Sequence, residues 1–372
     1  MMYLDNAATT FPKPNSVLAA VKNAILLYGG NPGRSSHYLS REAARLIYEC
    51  REEIASLFGG NPENVVFTQN ATYALNIAIN SLRRERGTIL ISNFEHNAVL
   101  RPVSALGKYS VFDARGNDEK VISEFKRAIE LRPSLVVCNH MSNLCGKTLP
   151  VERIGAICKA NNIPFIIDAS QSAGRRMLTL DKCYADAICA PGHKGLYGIQ
   201  GCGFVIFSDK YSTAAERLNT FIYGGNGVNS LERNMPEFLP ERYEAGTLPT
   251  PSIASLCAGI KEVKRMNIDE IGYHESRLGK RLIEGLSIIK GSSVYGGEYG
   301  GGTVLFNIDG FTPERLAEKL DKQGICVRAG YHCCPLGHEA LMSPEGGAVR
   351  ASVSPFNNAI DIDKLLISLN KK

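Results

Sequence analysis

A lysine and a carboxylate, each at the end of an apolar segment, are the residues of this chain most able to do chemistry. Lys194 stands in Ala190-Pro191-Gly192-His193-Lys194-Gly195, between the apolar run 185–190 and the glycine-rich stretch 196–203. A tight turn of this kind, where a strand ends, delivers a side chain into a pocket instead of onto a solvated helix face. Earlier, Pro164-Phe165-Ile166-Ile167-Asp168 ends another strand on a carboxylate. An amine that can form a Schiff base and a carboxylate that can pair with a pyridinium nitrogen are what pyridoxal 5'-phosphate (PLP) needs from a protein. Taken alone, Lys194 also reads as an exposed loop lysine. Its neighbours along the chain change that reading.

Thr68-Gln69-Asn70-Ala71-Thr72 joins a strand to a helix, and the N–H groups of a helix N-terminus form a phosphate seat. The same residues also read as simple capping by Asn70. They are no P-loop, because the glycines and lysine of that motif are absent. Glu95-His96-Asn97 follows the next strand, with an imidazole that could stack on a flat ring, shuttle a proton or serve structure alone. Asn143 and Gly146 follow a third strand, Asp168 and Gln171 a fourth, and His193 and Lys194 a fifth. Five successive strand exits thus carry small polar groups, and one sheet would set all five on a single rim.

The second strong signal is Arg328-Ala329-Gly330-Tyr331-His332-Cys333-Cys334-Pro335. A cysteine beside histidine, arginine and a glycine hinge is a candidate thiolate, because positive neighbours favour S⁻. A metal site from His332, Cys333, Cys334 and His338 is the competing reading, although adjacent cysteine side chains diverge and close poorly on one ion. An inert structural pair is another. Arg350, on a late strand, suits bidentate capture of a carboxylate; it also reads as a surface ion-pair partner.

These residues need an alternating frame to position them. Strands are expected at 65–68, 88–92, 135–138, 165–168 and 203–207, with helices at 71–82, 97–106 and 154–160 between them. Short apolar strands separated by helices predict an α/β fold with a mostly parallel central sheet covered on both faces. The Gly-, Asn- and Pro-rich stretch 219–251 is too long for a plain connection and points to function or an interface. Beyond it, helices at 253–266 and 268–286, strands at 303–308, 325–328 and 348–353, a helix at 312–323 and a last helix opened by Asp361 read as a smaller α+β domain. The expected units are an N-terminal segment 1–15 packing with the small domain, a large domain 16–250, and a small domain 251–372 carrying the Cys333 loop.

Composition narrows the functional classes. The chain has 372 residues, enough for a large and a small domain. Hydrophobic residues are 44% and charged residues 21%, as in an ordinary globular protein. A scattered net charge of +5 argues against nucleic-acid or membrane-surface partners. No stretch reaches the apolar length of a membrane span, and the start lacks signal-peptide character, so a cytoplasmic setting is expected. The 11 cysteines form no C-x-x-C pair, and several, such as Cys138 and Cys189, sit in apolar runs as small buried hydrophobes.

Laid out in order, the chain resembles the class V aminotransferase family, and within it the cysteine desulfurases and selenocysteine lyases. The resemblance runs nearly end to end. It is carried by Tyr3-Leu4-Asp5-Asn6-Ala7-Ala8-Thr9-Thr10, by Gly192-His193-Lys194, by Arg242-Tyr243-Glu244-Ala245-Gly246-Thr247, and by Arg328-x-Gly330-x-His332-Cys333. The last resembles the group II desulfurases. It implies the fold type I of PLP-dependent transferases, PLP as cofactor, a homodimer, and removal of sulfur from L-cysteine (or selenium from selenocysteine). It implies that Lys194 carries the cofactor, Asp168 pairs with its ring nitrogen, and Gln171 bonds its 3-oxygen. His96 would stack on the ring and relay protons, while Ala71, Thr72 and His193 hold the phosphate. Thr247 would reach the partner subunit's cofactor. Asn143, also at the cofactor, and Arg350 would orient the substrate carboxylate. Cys333 would accept sulfur and pass it to an acceptor, which a protein could supply. Transamination or another β-elimination is the alternative within the family. Three departures stand out: Pro191 where desulfurases often carry Ser, Leu248-Pro249 where Pro-Asn is frequent, and the tandem Cys333-Cys334. Cys334 could receive the persulfide or be passive.

Overall fold

The structure is a computed structural model, and it describes residues 1–33, 37–83, 87–212, 219–220 and 222–370. A seven-stranded sheet organises the larger body. Its strands are β2 (Val65–Thr68), β3 (Ile89–Ser92), β4 (Tyr109–Phe112), β5 (Leu135–Asn139), β6 (Phe165–Asp168), β7 (Ala187–Pro191) and β8 (Gly203–Phe207). They lie in the order β2-β8-β7-β6-β5-β3-β4, with β8 antiparallel to both neighbours and every other pairing parallel. All residues of β5, β6, β7 and β8 are buried, as strands covered on both faces must be.

The twofold period of each strand divides its side chains between two layers. Val136, Ile167 and Ile188 join a core with helices α2 (Tyr38–Phe58), α5 (Asp118–Ile129), α6 (Val151–Ala160) and α8 (Thr250–Met266). Val137, Ile166 and Cys189 join the opposite core with α3 (Ala71–Leu82) and α4 (Asn97–Ala105). Helix α1 (Asn15–Leu27) sends Val17 into the first core, and the short α7 (Leu180–Cys183) adds Leu180. The buried face of α8 belongs to this larger body, although the helix begins at the expected domain change.

The smaller body has a four-stranded antiparallel sheet. Its strands are β9 (Ser292–Tyr295), β10 (Thr303–Ile308), β12 (Arg328–Gly330) and β13 (Ala348–Ser352), in the order β12-β13-β10-β9. Helices α9 (Ile268–Ile288), α10 (Pro313–Asp321) and α12 (Ala359–Asn370) pack on it, and α11 (Pro335–Ala340) follows the Cys333 loop. The expected single strand at 325–328 is two. β11 (Ile325–Cys326) pairs parallel with β1 (Met2–Tyr3), and β12 pairs antiparallel with β13. The expected helix at 312–323 is shorter, because Thr312 caps it from outside, its side chain accepting from Arg315 N–H. Asp361 does not open α12. Asn358 accepts from Ile360 N–H while Asp361 accepts from Asn358 N–H, a reciprocal cap that starts the helix two residues earlier. The Gly- and Pro-rich stretch holds neither helix nor strand from 222 to 249, and Phe221 lies outside the described residues.

The N-terminal segment bridges both bodies. Leu4 sits in the small core, and its N–H donates to the Cys326 carbonyl at 2.9 Å while its own carbonyl accepts from Ser352 N–H at 2.7 Å. A few residues on, the Thr10 N–H and the Thr9 hydroxyl both donate to the His193 carbonyl, each at 3.1 Å. The Thr10 hydroxyl donates to the Lys194 carbonyl at 3.0 Å, and Lys13 Nζ to that of His193 at 2.8 Å. The lysine turn is thus clamped by residues from the far end of the chain. Among the described residues, no helix is long and apolar enough to cross a membrane.

Candidate active site

The five strand exits converge. β2, β3, β5, β6 and β7 run the same way, so their carboxyl ends open on one rim, where α/β sheets bind ligands. A cavity of about 340 Å³ lies there, lined by Lys194, Asp168, His96, Gln171, Asn143 and His193. Ala71, Thr72 and Arg350 line it as well, joined by Arg328 and His332 from the smaller body. Nine of the eleven candidate residues therefore share one hollow. Cys333 and Thr247 do not line it.

Each wall has a local cause. Asn70 caps α3 by accepting from Tyr73 N–H at 3.2 Å, which leaves the N–H groups of Ala71 and Thr72 without intrahelical acceptors at the cavity. Capping and anion seat, alternatives in the sequence, coexist here. Gly203, at the start of β8, makes room for this helix start: a Cβ there would stand 2.7 Å from the Asn70 carbonyl carbon. His96 caps α4, its Nδ1 accepting from Ala98 N–H at 3.0 Å. That bond places the ring proton on Nε2. Burial, with Lys194 and Arg328 close by, pushes the His96 pKa down to about 4, so the ring is neutral. His193 is likewise held down to about 4 by burial and the charge of Lys194, and its Nδ1 is buried with no partner.

Lys194 and Asp168 form the charged centre. Burial lowers the Lys194 amine to about 8 against the opposing pull of Asp168, and Arg350 and Arg175 add to the lowering. Asp168 is itself raised by burial, and is held by a 2.8 Å hydrogen bond from Ser170 N–H and by the charge of Lys194. Gln171 Nε2 donates to the Ala7 carbonyl at 2.9 Å. Beneath His96, Glu95 is wholly buried. It accepts from the Ser92 hydroxyl and from Asn139 N–H, and burial raises it to about 8.

Arg350, 1% exposed, donates through Nη2 to Asp5 at 2.7 Å and through Nη1 to the Asn143 carbonyl at 3.1 Å, leaving Nε without a partner. It is no surface ion-pair residue. Asn143 Nδ2 in turn donates to the His332 carbonyl at 2.8 Å, which ties the cavity rim to the cysteine loop. On that loop His332 and Cys333 both have left-handed backbones, φ 52° and 56°, uncommon for residues with a Cβ. Asn97 N–H holds the Cys333 carbonyl at 2.7 Å. Of the 11 cysteines, Cys333 alone is exposed. Cys334 is buried, its thiol facing the Phe94 carbonyl at 3.4 Å, and burial drives its pKa far up. His332 and His338 contact each other through Nδ1 and Nε2 at 3.3 Å. Among the described residues no group of three or more His, Cys, Asp or Glu is placed to hold a metal ion. Thr247 is exposed at a separate hollow lined by Thr68 and Tyr73, its hydroxyl 3.4 Å from Asn31 Nδ2.

The donor set fits PLP. Free helix N–H groups and an unpartnered histidine nitrogen suit a phosphate, a buried carboxylate suits a pyridinium nitrogen, and an amine with a lowered pKa suits an aldehyde.

Comparison with known proteins bears on the same residues. The family model described as aminotransferase class-V matches residues 2–365. A probable cysteine desulfurase of Methanothermobacter thermautotrophicus is 31% identical over 380 residues, covering 98% of this chain and 92% of that protein. One from Pyrococcus abyssi is 30% identical over the same length, with the same coverage. Among solved structures, the apo cysteine desulfurase of Thermococcus onnurineus superimposes with a TM-score of 0.90 at 30% identity, over 99% of this chain and 94% of that one.

Proposed function

The chain belongs to the aminotransferase class-V family and has its PLP fold type I architecture; from that premise we propose that it is a PLP-dependent cysteine desulfurase, converting L-cysteine to L-alanine and leaving the sulfur as a persulfide on Cys333. The observation that carries the reading is the pairing of a cavity lined by Lys194 and the buried Asp168 with an exposed cysteine whose neighbour, His332, lines that same cavity. Transamination has no use for such a thiol.

When bound, PLP supplies an aldehyde for amine exchange and a ring that withdraws electrons from the substrate α-carbon. Asp168 would pair with the ring nitrogen and hold its proton there. Ala71, Thr72 and His193 hold the phosphate, and Gln171 holds the 3-oxygen. His96, neutral with its proton on Nε2, offers an apolar face and one donor. Lys194 Nζ takes the substrate α-proton. With a pKa near 8, about a tenth of such amines are neutral at pH 7, against roughly one in several thousand for an ordinary lysine. Arg350 and Asn143 orient the substrate carboxylate, with Arg350 exchanging its Asp5 contact for it.

Cys333 Sγ, as thiolate, attacks the substrate sulfur. An S–S bond forms and the substrate Cβ–S bond breaks; its electron pair goes to Cβ, which takes up a proton, and Lys194 Nζ returns the α-proton to Cα to give alanine. An exposed Cys333 can then hand the sulfur to an acceptor. The protein works as a homodimer in a reducing cytoplasm, with Thr247 turned to the partner's cofactor.

The test is to supply L-cysteine to the PLP-loaded protein, measure alanine, and weigh the Cys333 peptide. Alanine with one added sulfur on that peptide is the expected result. Alanine without the added sulfur would remove Cys333 from the reaction, and selenocysteine as the strongly preferred substrate would change the chalcogen.

A further inference from the structure

Beneath the lysine turn lies a buried charge that the proposed reaction does not use. Arg175 is 2% exposed, on the loop that follows Asp168 at the end of β6 and also carries Gln171. Its Nη1 donates to Gln171 Oε1 at 3.3 Å. Its Nε lies 3.3 Å from the carboxylate of Glu275, also 2% exposed, on helix α9 of the smaller body. Burying a guanidinium is costly unless its position is needed or its charge is matched, and here one carboxylate matches it.

Two close approaches press this arginine's loop against the lysine turn. A Cβ on Gly195, the residue after Lys194, would stand 3.3 Å from Arg175 Cγ and 2.3 Å from the Ala173 carbonyl oxygen. A Cβ on Gly174 would stand 2.2 Å from the Gly195 carbonyl oxygen. The Gln171–Arg175 loop and the lysine turn are therefore pressed backbone to backbone, with the arginine stem alongside.

Hydrogen-bond chemistry gives the contact a direction. A guanidinium only donates, so it receives the oxygen end of the Gln171 amide and never the nitrogen end. The NH₂ end then points the other way, one hydrogen going to the Ala7 carbonyl and the second remaining for the cavity that Gln171 lines. Arg175 and the Ala7 carbonyl thus hold opposite ends of one amide; without Arg175 a single tether remains, and the side chain is freer to swing or to turn over and present an acceptor to the cavity, which an anionic oxygen on a bound ring would reject.

We propose that Arg175 is a positioning residue: anchored by Glu275 from the smaller body, it fixes the Gln171 amide with its donor toward the cofactor's 3-oxygen and holds a positive charge under Lys194. The proposal rests on the PLP reading above. Arg175 is among the charges that lower the Lys194 amine, so its second effect can be measured apart from the first.

A double-mutant cycle on PLP affinity tests the inference. Arg175→Met and Gln171→Leu are each expected to weaken PLP binding by about tenfold, the worth of one hydrogen bond to a charged group. The double variant is expected to be no weaker than either single one, because Arg175 acts through Gln171. A separate labelling experiment uses the protein without PLP. The pH midpoint for modification of Lys194 by an amine reagent should rise above about 8 in Arg175→Met. In Arg175→Lys, which keeps the charge but cannot span both partners, it should stay put while PLP affinity still falls. If Arg175→Met does not fold, Arg175→Lys completes the cycle. Additive losses, or affinity unchanged in Arg175→Lys, would overturn the proposal and leave the desulfurase reading standing. A wild-type protein that takes up no PLP would overturn both.

Discussion

The lysine turn and the cysteine loop meet at one cavity and are built on opposite principles. Lys194 is half-buried at the cavity, flanked by charged groups, its amine pKa lowered by desolvation, and its turn is locked by hydrogen bonds from residues 9–13 to the His193 and Lys194 carbonyls. Cys333 is exposed, outside the cavity lining, and held by its own strained backbone, with Asn97 and Asn143 gripping the carbonyls on either side. The difference separates two physical tasks. Proton abstraction needs a pKa displaced by dehydration and a fixed geometry. Sulfur transfer needs a thiol that one molecule can reach from inside and another from outside.

Mutation can break this division from either side. Lys194→Ala should have the largest effect: no covalent retention of PLP after borohydride reduction and no α-proton exchange, a loss of at least about 10⁴-fold. Cys333→Ser should be nearly as severe for alanine formation, on the order of 10³-fold or more, yet leave PLP uptake unchanged. If PLP uptake falls with it, the two regions are not separate. Asp168→Asn should weaken PLP binding by about 10- to 100-fold, the range for a charge-assisted hydrogen bond. It should also move the Lys194 labelling midpoint below about 8. The sign follows because the carboxylate holds the proton on the amine, so its removal favours the neutral form at lower pH. Cys334→Ser should do least. A buried thiol without access to the cavity costs about 1 kcal/mol of stability when exchanged for a hydroxyl, read in a denaturant midpoint, with the added sulfur still on Cys333. An added sulfur found on Cys334 instead would reverse the assignment.

The larger sheet was readable because each site residue followed an apolar strand of standard length, and the rim follows from sheet geometry alone. β4 was missed because it is an edge strand whose Tyr109 and Val111 face solvent, so its pattern resembles a loop. Helices α1 and α2 carry no clear start signal, whereas the Asn117 cap and first-turn acids of α5 are one that the sequence does offer. The split at 325–330 was not legible, since only pairing with the distant strands β1 and β13 divides it. Arg350 was legible as an arginine on a strand, but its tie to Asp5 was not. Glu95 reads in the sequence as a mere neighbour of His96, and only the packing of β3 against β5 buries it. Arg175 sits in a run of polar and small residues that reads as an exposed loop. Its partner Glu275 comes from another body, and no local pattern announces such a pair.

The clamp of the N-terminal segment has a consequence for biosynthesis. Residues 2–7 take their places against 324–326 and 352, so this segment must wait for partners made much later in the chain. Until then the segment whose residues 9–13 clamp the Lys194 turn is anchored at one end only, and a nascent chain would be poorly prepared to retain cofactor. Loading with PLP is therefore expected to follow translation, which would spare the cell a half-made polypeptide already charged with a reactive aldehyde.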